Sequence, residues 1–490
     1  MGASFRLLSE GQRERIARAA FELLERVGVR LTEREARGKL RGAGAHLEGD
    51  RVRIPEGLVR AAVESAPSSI AIYSREGERA MEPGGRTACF GAHTDAPDVL
   101  DPQSGERRAC VERNVGSIAR LIDAVPHISY TTASGMVSDR PAEVGDRAAL
   151  AQCLINSPKP VLAMPVTHRA LVDCAEMAAL AVGGGEALRQ RPLLIVYAEP
   201  VSPLVHTDDG IRRLLTCAEE EIPVVYSGYA AMGGTAPMSA AAITVQLCAE
   251  SLSGLVVHQL KRRGAPFIFG GMASVMDMRT TVFSYGAPEF QRGNTLMAEM
   301  AHHFDLPNFG TAGTSDAQTF DGQAVLEAAT SCTMALLAGA NLVHDVGLLG
   351  NATVVVPAMI VATNEILAML HHLLGPVDVE EDALCLDVME EVGPGGEFVT
   401  HPETFERFRD VWYPELLFRG GAEAWERSEG ERFEERVGAE TRRLMEEHEP
   451  APLPAEIAEA IRDVVERAET RAVTERPAEK IEGDREGQRR

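Results

Sequence analysis

Two adjacent ionisable residues, His344 and Asp345, lie within the otherwise apolar stretch GANLVHDVGLLG, residues 339–350. Ionisable groups are rarely buried without a partner or a task, so this pair is a candidate for chemistry. Such a pair can transfer a proton or bind a polar substrate group, and it can equally be a structural hydrogen-bonded pair. Successive strand residues point to opposite faces, so the two side chains are not expected to enter one site in the same way. Both are assigned as catalytic candidates, and His344 is favoured.

Aromatic and charged side chains follow several other apolar, β-prone runs of the sequence. Aromatic faces close to a carboxylate bind a quaternary ammonium group through cation–π attraction and a counter-charge. The alternative is that these aromatic residues only fill the interior of the fold. The candidate substrate-binding residues are Tyr226, Tyr229, Tyr197, Glu199, Phe269, Arg279, Asp316 and His93. Arg279 could bind a substrate carboxylate or could form a salt bridge within its own loop.

The spacing of the remaining reactive residues argues against several classes of enzyme. The sequence contains no H-x-x-H or H-E-x-x-H spacing, so no bound metal is predicted. It contains no G-x-S-x-G motif, and no lysine follows a β-prone run, which disfavours Schiff-base and pyridoxal chemistry. Binding of a small cation and acid–base chemistry remain open.

From residue 87 onward, short β-prone runs alternate with longer helical stretches. Six of the eight runs follow a proline, and successive prolines are 31 to 43 residues apart, which suits one strand, one helix and two loops. The runs are 87–93, 127–134, 161–167, 193–199, 224–230, 267–273, 308–314 and 342–348. This pattern predicts an α/β fold, a (β/α)₈ TIM barrel over residues 87–374, with the C-terminal ends of the strands sharing one mouth. The predicted barrel core includes Val161, Ile195, Val224 and Ile268.

The segments on either side of the predicted barrel differ from it in composition. We expect an N-terminal α+β cap over residues 1–86, a C-terminal helical appendage over 375–465, and a charged, disordered tail over 466–490. With 49 Lys+Arg against 73 Asp+Glu, the net charge of −24 argues against nucleic-acid and membrane-surface partners. The eight cysteines are scattered singly, and the sequence shows neither a signal peptide nor an uncharged membrane-spanning run, so a cytoplasmic protein is expected.

Several stretches together resemble one enzyme family. They are MGGTAPMSAAAITVQLCAE, DMRTTVFSYGAPE, GTAGTSDAQTFDGQAVLEAATS, GANLVHDVGLLG and EVGPGGEFVTHPETFERFRDVWYPELLFR. With the N-terminal segment LLERVGVRLTEREARGKL, they are similar to the trimethylamine:corrinoid methyltransferase family over about residues 8 to 465. The resemblance implies a TIM-barrel enzyme that passes a methyl group from an amine to the cobalt of a corrinoid carried by a separate small protein.

The same resemblance narrows the expected substrate. Archaeal members that demethylate trimethylamine carry pyrrolysine in the barrel, whereas this chain contains only standard residues. It therefore resembles the non-pyrrolysine branch, which implies a quaternary amine such as glycine betaine and a homo-oligomer. Two alternatives stay open: a barrel lyase or hydrolase that uses His344 and Glu199 as acid and base, and a quaternary-amine-binding protein without catalysis. Dependence on a corrinoid would separate the methyltransferase from both.

Overall fold

The computed structural model describes residues 3–428 and 430–475. Its N-terminal part combines three helices with five short strands. These are α1 (Glu10–Arg26), β1 (Val29–Leu31), α2 (Arg34–Gly42), β2 (His46–Glu48), β3 (Arg51–Arg53), α3 (Glu56–Ser65), β4 (Ile72–Tyr73) and β5 (Arg79–Met81). Helix α1 buries Ile16, Phe21 and Leu24 on one face, as the helical spacing of its apolar residues predicts. The Gln12 side chain accepts the Ser9 backbone N–H at 2.8 Å and so caps the start of this helix.

Eight parallel strands form the predicted barrel. The strands after the N-terminal part are β6 (Cys89–Ala92), β7 (Asp98–Leu100), β8 (Arg107–Ala109), β9 (Thr131–Thr132), β10 (Val161–Ala163), β11 (Leu194–Ala198), β12 (Val205–His206), β13 (Val224–Met232), β14 (Phe267–Val275), β15 (Asn308–Thr311), β16 (Leu342–Val346), β17 (Leu348–Leu349) and β18 (Val354–Val355). The barrel sheet has the order β6-β16-β15-β14-β13-β11-β10-β9. A parallel bridge between Gly91 and Tyr130 joins its two edges. Each of these strands overlaps one of the eight β-prone runs, so the (β/α)₈ prediction is confirmed.

Helices cover the outside of the barrel. They are α4 (Glu112–Ala124), α5 (Gly145–Asn156), α6 (His168–Val182), α7 (Gly185–Gln190), α8 (Asp208–Glu220), α9 (Ala240–Lys261), α10 (Pro288–Phe304), α11 (Gly322–Ala338) and α12 (Pro357–Leu373). Within the described residues, α9 alone is long and apolar enough to cross a membrane by length and composition. It packs against β13, β14 and α1, and most of its side chains are buried there. Its apolar composition is therefore explained by its place in the core.

The side chains of the barrel strands alternate between an inner and an outer layer. Ile195 and Ile268 belong to the inner cluster, which fills the barrel together with the ring of Phe309. Val161 and Val224 belong to the cluster between the strands and the surrounding helices. All four predicted core residues are buried, but they divide between the two layers because neighbouring strand positions face opposite ways.

The two ends of the barrel differ. At the N-terminal end of the strands, Ile72 and Met81 of the β4–β5 hairpin join the inner cluster with Leu162 and Leu342. At the opposite end, β17, β18, β7 and β8 form a second, four-stranded sheet directly after β16 and β6. The hairpin plugs the bottom of the barrel, so a small molecule would enter from the C-terminal mouth.

The chain after the barrel is helical. It contains α13 (Glu381–Leu384), α14 (Leu386–Val392), α15 (Pro402–Arg407), a 3₁₀ turn (Phe408–Asp410), α16 (Ala422–Arg427), α17 (Phe433–Glu447) and α18 (Ala455–Glu475). In α18, Ala468 is buried and Arg471 donates to both carboxylate oxygens of Asp173 at 2.7 Å. The prediction that disorder begins at residue 466 is therefore wrong for 466–475. Residues 476–490, which belong to the same predicted tail, lie outside the described residues.

Candidate active site

A β-bulge near the C-terminal end of β16 alters the direction of its side chains. The pairing of β16 with β6 shifts register between Val343 and Val346 by one residue. Asp345 lies in this bulge and has a φ of 83°, in the left-handed region that residues other than glycine rarely adopt. An extra residue breaks the strict alternation of a strand, so His344 and Asp345 both face the barrel interior. The expectation that the two side chains cannot enter one site together is wrong.

Asp345 is the centre of a hydrogen-bonded group at the mouth of the barrel. His93 Nδ1 donates to Asp345 Oδ1 at 2.9 Å, and His344 Nε2 lies 3.1 Å from the same oxygen. The other ring nitrogen of His344 donates to the Gly310 carbonyl at 2.8 Å. The His344 ring stacks on Phe309, with the ring centroids 4.1 Å apart. The two residues of the His-Asp pair are therefore in close contact with each other and at the same time part of the mouth.

Three buried polar atoms beside this group have no hydrogen-bond partner among the described residues. They are Asp345 Oδ2, His93 Nε2 and the Tyr130 hydroxyl. Burial alone would raise the pKa of Asp345, which is 1% exposed, but His344, His93 and Thr311 outweigh it and hold that pKa below its ordinary value. The site thus contains a buried, ionised carboxylate with one free oxygen.

Three tyrosines lie within electrostatic range of the Asp345 carboxylate. Burial first, and then the charge of Asp345, raise the pKa of Tyr130 and of Tyr285 well above the ordinary value. Burial and the adjacent Glu199 raise the pKa of Tyr197 in the same way, and Asp345 contributes there too. The Tyr197 hydroxyl donates to Glu199 Oε2 at 3.1 Å. Aromatic rings around an anion form a pocket suited to a cation without N–H groups.

Glu199 and Tyr229 lie in the outer part of the site. Together with Val201 and Phe283 they line a cavity of about 400 Å³ that opens to solvent. Phe283 meets the edge of Tyr229 at a centroid distance of 5.2 Å and that of Tyr285 at 4.5 Å. These aromatic contacts connect the outer cavity to the rings around Asp345.

A third carboxylate, Asp95, lies at the same end of the barrel. Its side chain is exposed, and His93, Asp146 and Glu199 lie within electrostatic range of it. Asp95 lies three residues after the end of β6 and has a φ of 62°. The mouth therefore brings Asp95, Glu199 and Asp345 into one acidic region.

Asp316 anchors the loop after β14 instead of facing the cavity. Its carboxylate accepts the backbone N–H groups of Tyr285 at 2.8 Å and of Gly286 at 3.0 Å. It also accepts from the Ser284 hydroxyl and, at 3.0 Å, from Asn351 Nδ2. Asp316 thus holds the backbone that presents the Tyr285 ring to the site.

Tyr226 and Phe269 lie on the outer face of the barrel. The Tyr226 hydroxyl is 2.6 Å from His206 Nδ1, and the Phe269 ring meets that of Phe304 in α10 edge-on. Tyr226 and Tyr229 are three positions apart in one strand, so they face opposite sides. The prediction that Tyr226 and Phe269 line the substrate pocket is wrong.

Arg279 lies in solvent beyond the end of β14. Its side chain is 89% exposed and donates to both oxygens of Asp277, at 3.2 and 3.0 Å. Of the two alternatives for this residue, the salt bridge within the loop is the one found. Arg279 is therefore removed from the candidate site.

Asp95, Phe283 and Tyr285 belong to the candidate site but not to the predicted set. Asp95 stands two residues after His93 at the end of a β-prone run, which is a usable signal for a mouth residue. Phe283 and Tyr285 lie in the loop segment VFSYG, where no strand periodicity applies. Their direction depends on the contacts of Asp316, which the local sequence does not reveal.

The chain is similar to known methyltransferases over nearly its whole length. The profile of the trimethylamine methyltransferase (MTTB) family matches residues 2–472. Trimethylamine methyltransferase MttB of Desulfitobacterium hafniense (strain DSM 10664 / DCB-2) is 28% identical over 453 residues, 92% of this chain and 91% of the relative. Glycine betaine methyltransferase of Desulfitobacterium hafniense (strain Y51) is 27% identical over 459 residues, 92% of this chain and 95% of the relative.

A solved structure shares the fold. The crystal structure of the Methanosarcina barkeri monomethylamine methyltransferase (MtmB) superposes with a TM-score of 0.52 at 11% sequence identity, covering 95% of this chain and 89% of that chain. At this identity the likeness concerns the fold alone. Because the family profile spans almost the entire sequence, this chain belongs to the trimethylamine methyltransferase family.

Proposed function

We propose that this chain transfers a methyl group from a quaternary amine to the cobalt of a corrinoid carried by a separate small protein. The observation that carries the proposal is the buried Asp345 carboxylate, whose Oδ2 has no partner among the described residues and whose charge acts on Tyr130, Tyr197 and Tyr285. The family match supports the same class of reaction, since its relatives are named as methyltransferases of trimethylamine and of glycine betaine.

The site suits a quaternary ammonium group by its charge and by its lack of N–H groups. Such a cation donates no classical hydrogen bond, so aromatic faces and a counter-charge hold it. Each ring contributes about 0.5–2 kcal/mol, with the larger value in a dry pocket. The free Asp345 oxygen matches this ligand, because an ionised carboxylate oxygen without a hydrogen-bond partner attracts a nearby cation.

The residues of the site bind and align the methyl donor. When docked, the corrinoid would supply a nucleophilic reduced cobalt as the methyl acceptor. The C–N bond breaks with its electron pair leaving on nitrogen, so a neutral tertiary amine departs and no proton has to move. Asp345 and the rings favour the cationic substrate over this neutral product, so they contribute binding, orientation and product release.

The rim of the barrel mouth offers a surface for the methyl acceptor. Loops after five of the barrel strands expose large apolar side chains, in contrast to the charged surface expected of a soluble protein. These residues are Met136, Val166, Val201, Met238, Met278 and Val282. They lie at the same end of the barrel as Asp345, where a corrinoid protein would have to bring its cobalt.

The acid–base alternative has less support from the geometry of His344. Its Nδ1 donates to Gly310, its Nε2 faces Asp345, and its ring stacks on Phe309. A general base needs a ring nitrogen within reach of a substrate proton. With both nitrogens engaged, His344 acts as a positioning residue for Asp345.

Methyl transfer to reduced cobalamin, or to a cognate corrinoid protein, tests the proposed function. Purified protein is expected to demethylate at least one quaternary amine from a panel of tetramethylammonium, choline, carnitine and glycine betaine. Trimethylamine should not react, because the chain contains only standard residues. Turnover of trimethylamine, or none with any quaternary amine, would contradict the proposal.

We also infer a cytoplasmic location. All eight cysteines are free, and seven of them are buried. Unpaired thiols are typical of a reducing compartment. Cell fractionation with an antibody against the protein tests this inference.

A further inference from the structure

The charged side chains that surround the candidate site are acidic. Asp345 lies at its base with a free oxygen, and Glu199 lies in the wall of the outer cavity. Glu199 and Asp95 are exposed at the mouth, beside a cavity whose described lining contains no lysine or arginine as a counter-charge. A ligand that brings positive charge and no negative charge would supply it.

The arginines at this end of the barrel are already engaged, and Arg213 also acts on the charge of Glu199. Arg213 donates to the Pro165 carbonyl at 2.6 Å and lies 3.8 Å from Asp209. Arg147 pairs with Asp146 at 2.7 Å and with Asp173 at 3.2 Å. Among the described residues, no lysine or arginine lines the 400 Å³ cavity that contains Glu199.

From this distribution of charge, we propose that the methyl donor is a quaternary ammonium cation without a carboxylate, of the choline or tetramethylammonium type. The inference rests on the proposed function and narrows its substrate. A betaine would place its carboxylate within a few ångströms of Asp345 or Glu199, and like charges at that distance in a partly dry cavity repel strongly. The relative named glycine betaine methyltransferase is 27% identical, which leaves room for a different charge pattern at the mouth.

Relative kcat/KM values for methyl transfer from choline, tetramethylammonium and glycine betaine test this inference. The carboxylate-free cations are expected to exceed glycine betaine at least tenfold. Equal or higher kcat/KM for glycine betaine would overturn the inference while leaving the proposed function intact. Absence of methyl transfer from all three would instead count against the proposed function, and the inference would fall with it.

The Glu199→Gln variant tests the cause of the selectivity. Removal of this charge should raise kcat/KM for glycine betaine relative to choline about tenfold. Glu220→Gln is the matched control, because Glu220 is an exposed carboxylate in α8 that pairs with Arg189 away from the mouth. An unchanged ratio in Glu199→Gln, or the same change in Glu220→Gln, would show that Glu199 does not select the substrate.

A second, independent observation concerns the segment 377–411, which we call the arm. Its helices α13, α14 and α15 and the following 3₁₀ turn contain no buried residue. Exposed large apolar side chains of the arm are Val377, Val379, Leu384, Leu386, Met389, Phe398, Val399, Phe405, Phe408 and Val411. The hydrogen bonds described for its side chains stay within the arm, as between Arg407 and the Asp382 carbonyl. Such short helices need a cover to be stable.

The apolar surface of the arm is large enough for a stable interface. Side chains of this kind expose on the order of 100 Å² each, so the arm presents on the order of 1,000 Å². A standard interface buries about 800 Å² on each partner, and monomers rarely leave so much apolar surface uncovered. The arm is therefore expected to be covered in solution.

The position of the arm argues against the methyl acceptor as its cover. The arm begins just after α12, whose His371 has its Nδ1 3.2 Å from Nδ1 of His127, near the start of the second barrel strand. This is the plugged end of the barrel, opposite the mouth. A protein that brings a cobalt to Asp345 has to dock at the other end.

The charges of the arm and of the N-terminal region favour a second copy of this chain as the cover of the arm. The arm contains 11 Asp+Glu against 2 Lys+Arg, a net charge of −9, whereas residues 1–60 contain 13 Lys+Arg against 9 Asp+Glu, a net charge of +4. We infer that two copies form a symmetric dimer in which each arm covers the N-terminal region of the other. An isologous interface of this kind closes on itself.

Analytical ultracentrifugation of the purified chain tests the dimer. The wild-type protein should be dimeric at micromolar concentration, and the double variant Val399→Asp/Phe405→Asp should be monomeric with unchanged circular dichroism. Leu326→Asp, at an equally exposed leucine of α11, is the matched control and should remain dimeric. A monomeric wild-type protein, or a dimer that survives the double substitution, would overturn the inference. If the double variant does not fold, hydrogen exchange of residues 381–407 in the wild-type protein decides whether the dimer exists. A dimer predicts that these amides exchange more slowly at higher protein concentration, whereas a monomer predicts no such change.

Discussion

His93 donates from Nδ1 to Oδ1 of Asp345 across 2.9 Å, although the two residues are 252 positions apart in the chain. They lie at the ends of β6 and β16, which are neighbours in the closed barrel. The bond holds one oxygen of Asp345, and the other oxygen has no hydrogen-bond partner in the part of the chain that the structure describes. The predictions below depend on this arrangement.

Substitution Asp345→Asn should weaken binding of tetramethylammonium about tenfold or more. The amide keeps the shape of the carboxylate but removes the counter-charge, and 1.4 kcal/mol corresponds to a factor of ten. Calorimetric titration measures the effect. Asp277→Asn is the matched control, because Asp277 pairs with Arg279 on the surface. Equal affinity in wild type and Asp345→Asn would remove the carboxylate from the binding site.

Substitution Tyr285→Ala should weaken binding of the same ligand about tenfold, whereas Tyr285→Phe should have little effect. Phenylalanine keeps the aromatic face that attracts the cation, and alanine does not. The measurement is again a calorimetric titration, with thermal unfolding as a check on the fold. If Tyr285→Ala and Tyr285→Phe lost affinity to the same extent, the hydroxyl and not the ring would be responsible.

Tyr226→Phe should lower stability by about 1 kcal/mol and leave ligand affinity unchanged. The substitution removes the hydrogen bond between the buried Tyr226 hydroxyl and His206, which lies outside the barrel. Urea unfolding measures the stability, and titration with tetramethylammonium measures the affinity. A loss of affinity without a loss of stability would restore Tyr226 to the substrate pocket.

Gly91→Ala should destabilise the protein by about 1–3 kcal/mol, because the added Cβ would lie 2.1 Å from the Tyr130 ring. This glycine lets the Tyr130 ring approach the first barrel strand. Gly310→Ala is a matched control in another barrel strand, since its Cβ would meet its nearest neighbour at 3.6 Å. Urea denaturation compares the two. Equal stability of both variants would show that the Tyr130 ring moves aside freely.

The protein should lose stability as the pH falls below about 6.5. Burial lowers the pKa of His206 to about 4 in the folded state, from an ordinary value of 6.5. Between these values the unfolded chain binds one more proton than the folded one, so stability decreases as pH falls, by on the order of 3 kcal/mol in full. Urea unfolding at pH 7.5 and pH 5.0 measures the loss.

The variant His206→Gln tests whether His206 causes this dependence of stability on pH. His206→Gln should reduce the difference in stability between pH 7.5 and pH 5.0 by about 2 kcal/mol. His46→Gln, at an exposed histidine, should leave the difference unchanged. The assignment would be contradicted by an identical pH dependence in wild type and His206→Gln.

The barrel and part of its mouth could be predicted from the sequence. Prolines mark the N-terminal ends of six strands, and the polar residue after an apolar run marks the opposite end, so Glu199 and His93 were expected at the mouth, where the structure has them. Strand alternation was also available from the sequence. Applied to Tyr226 and Tyr229, three positions apart, it assigns only one of them to the interior.

The direction of Asp345 and the position of Tyr285 could be decided only by the tertiary structure. Asp345 faces the barrel because a bulge forms where β16 pairs with β6, a strand about 250 residues away in the chain. Tyr285 reaches the site because Asp316 and Asn351 hold its loop from other parts of the barrel. Periodicity and turn chemistry are local properties that can be read directly from the sequence. Bulges and anchored loops are stabilised by contacts between distant segments, so their geometry exists only once the barrel has closed.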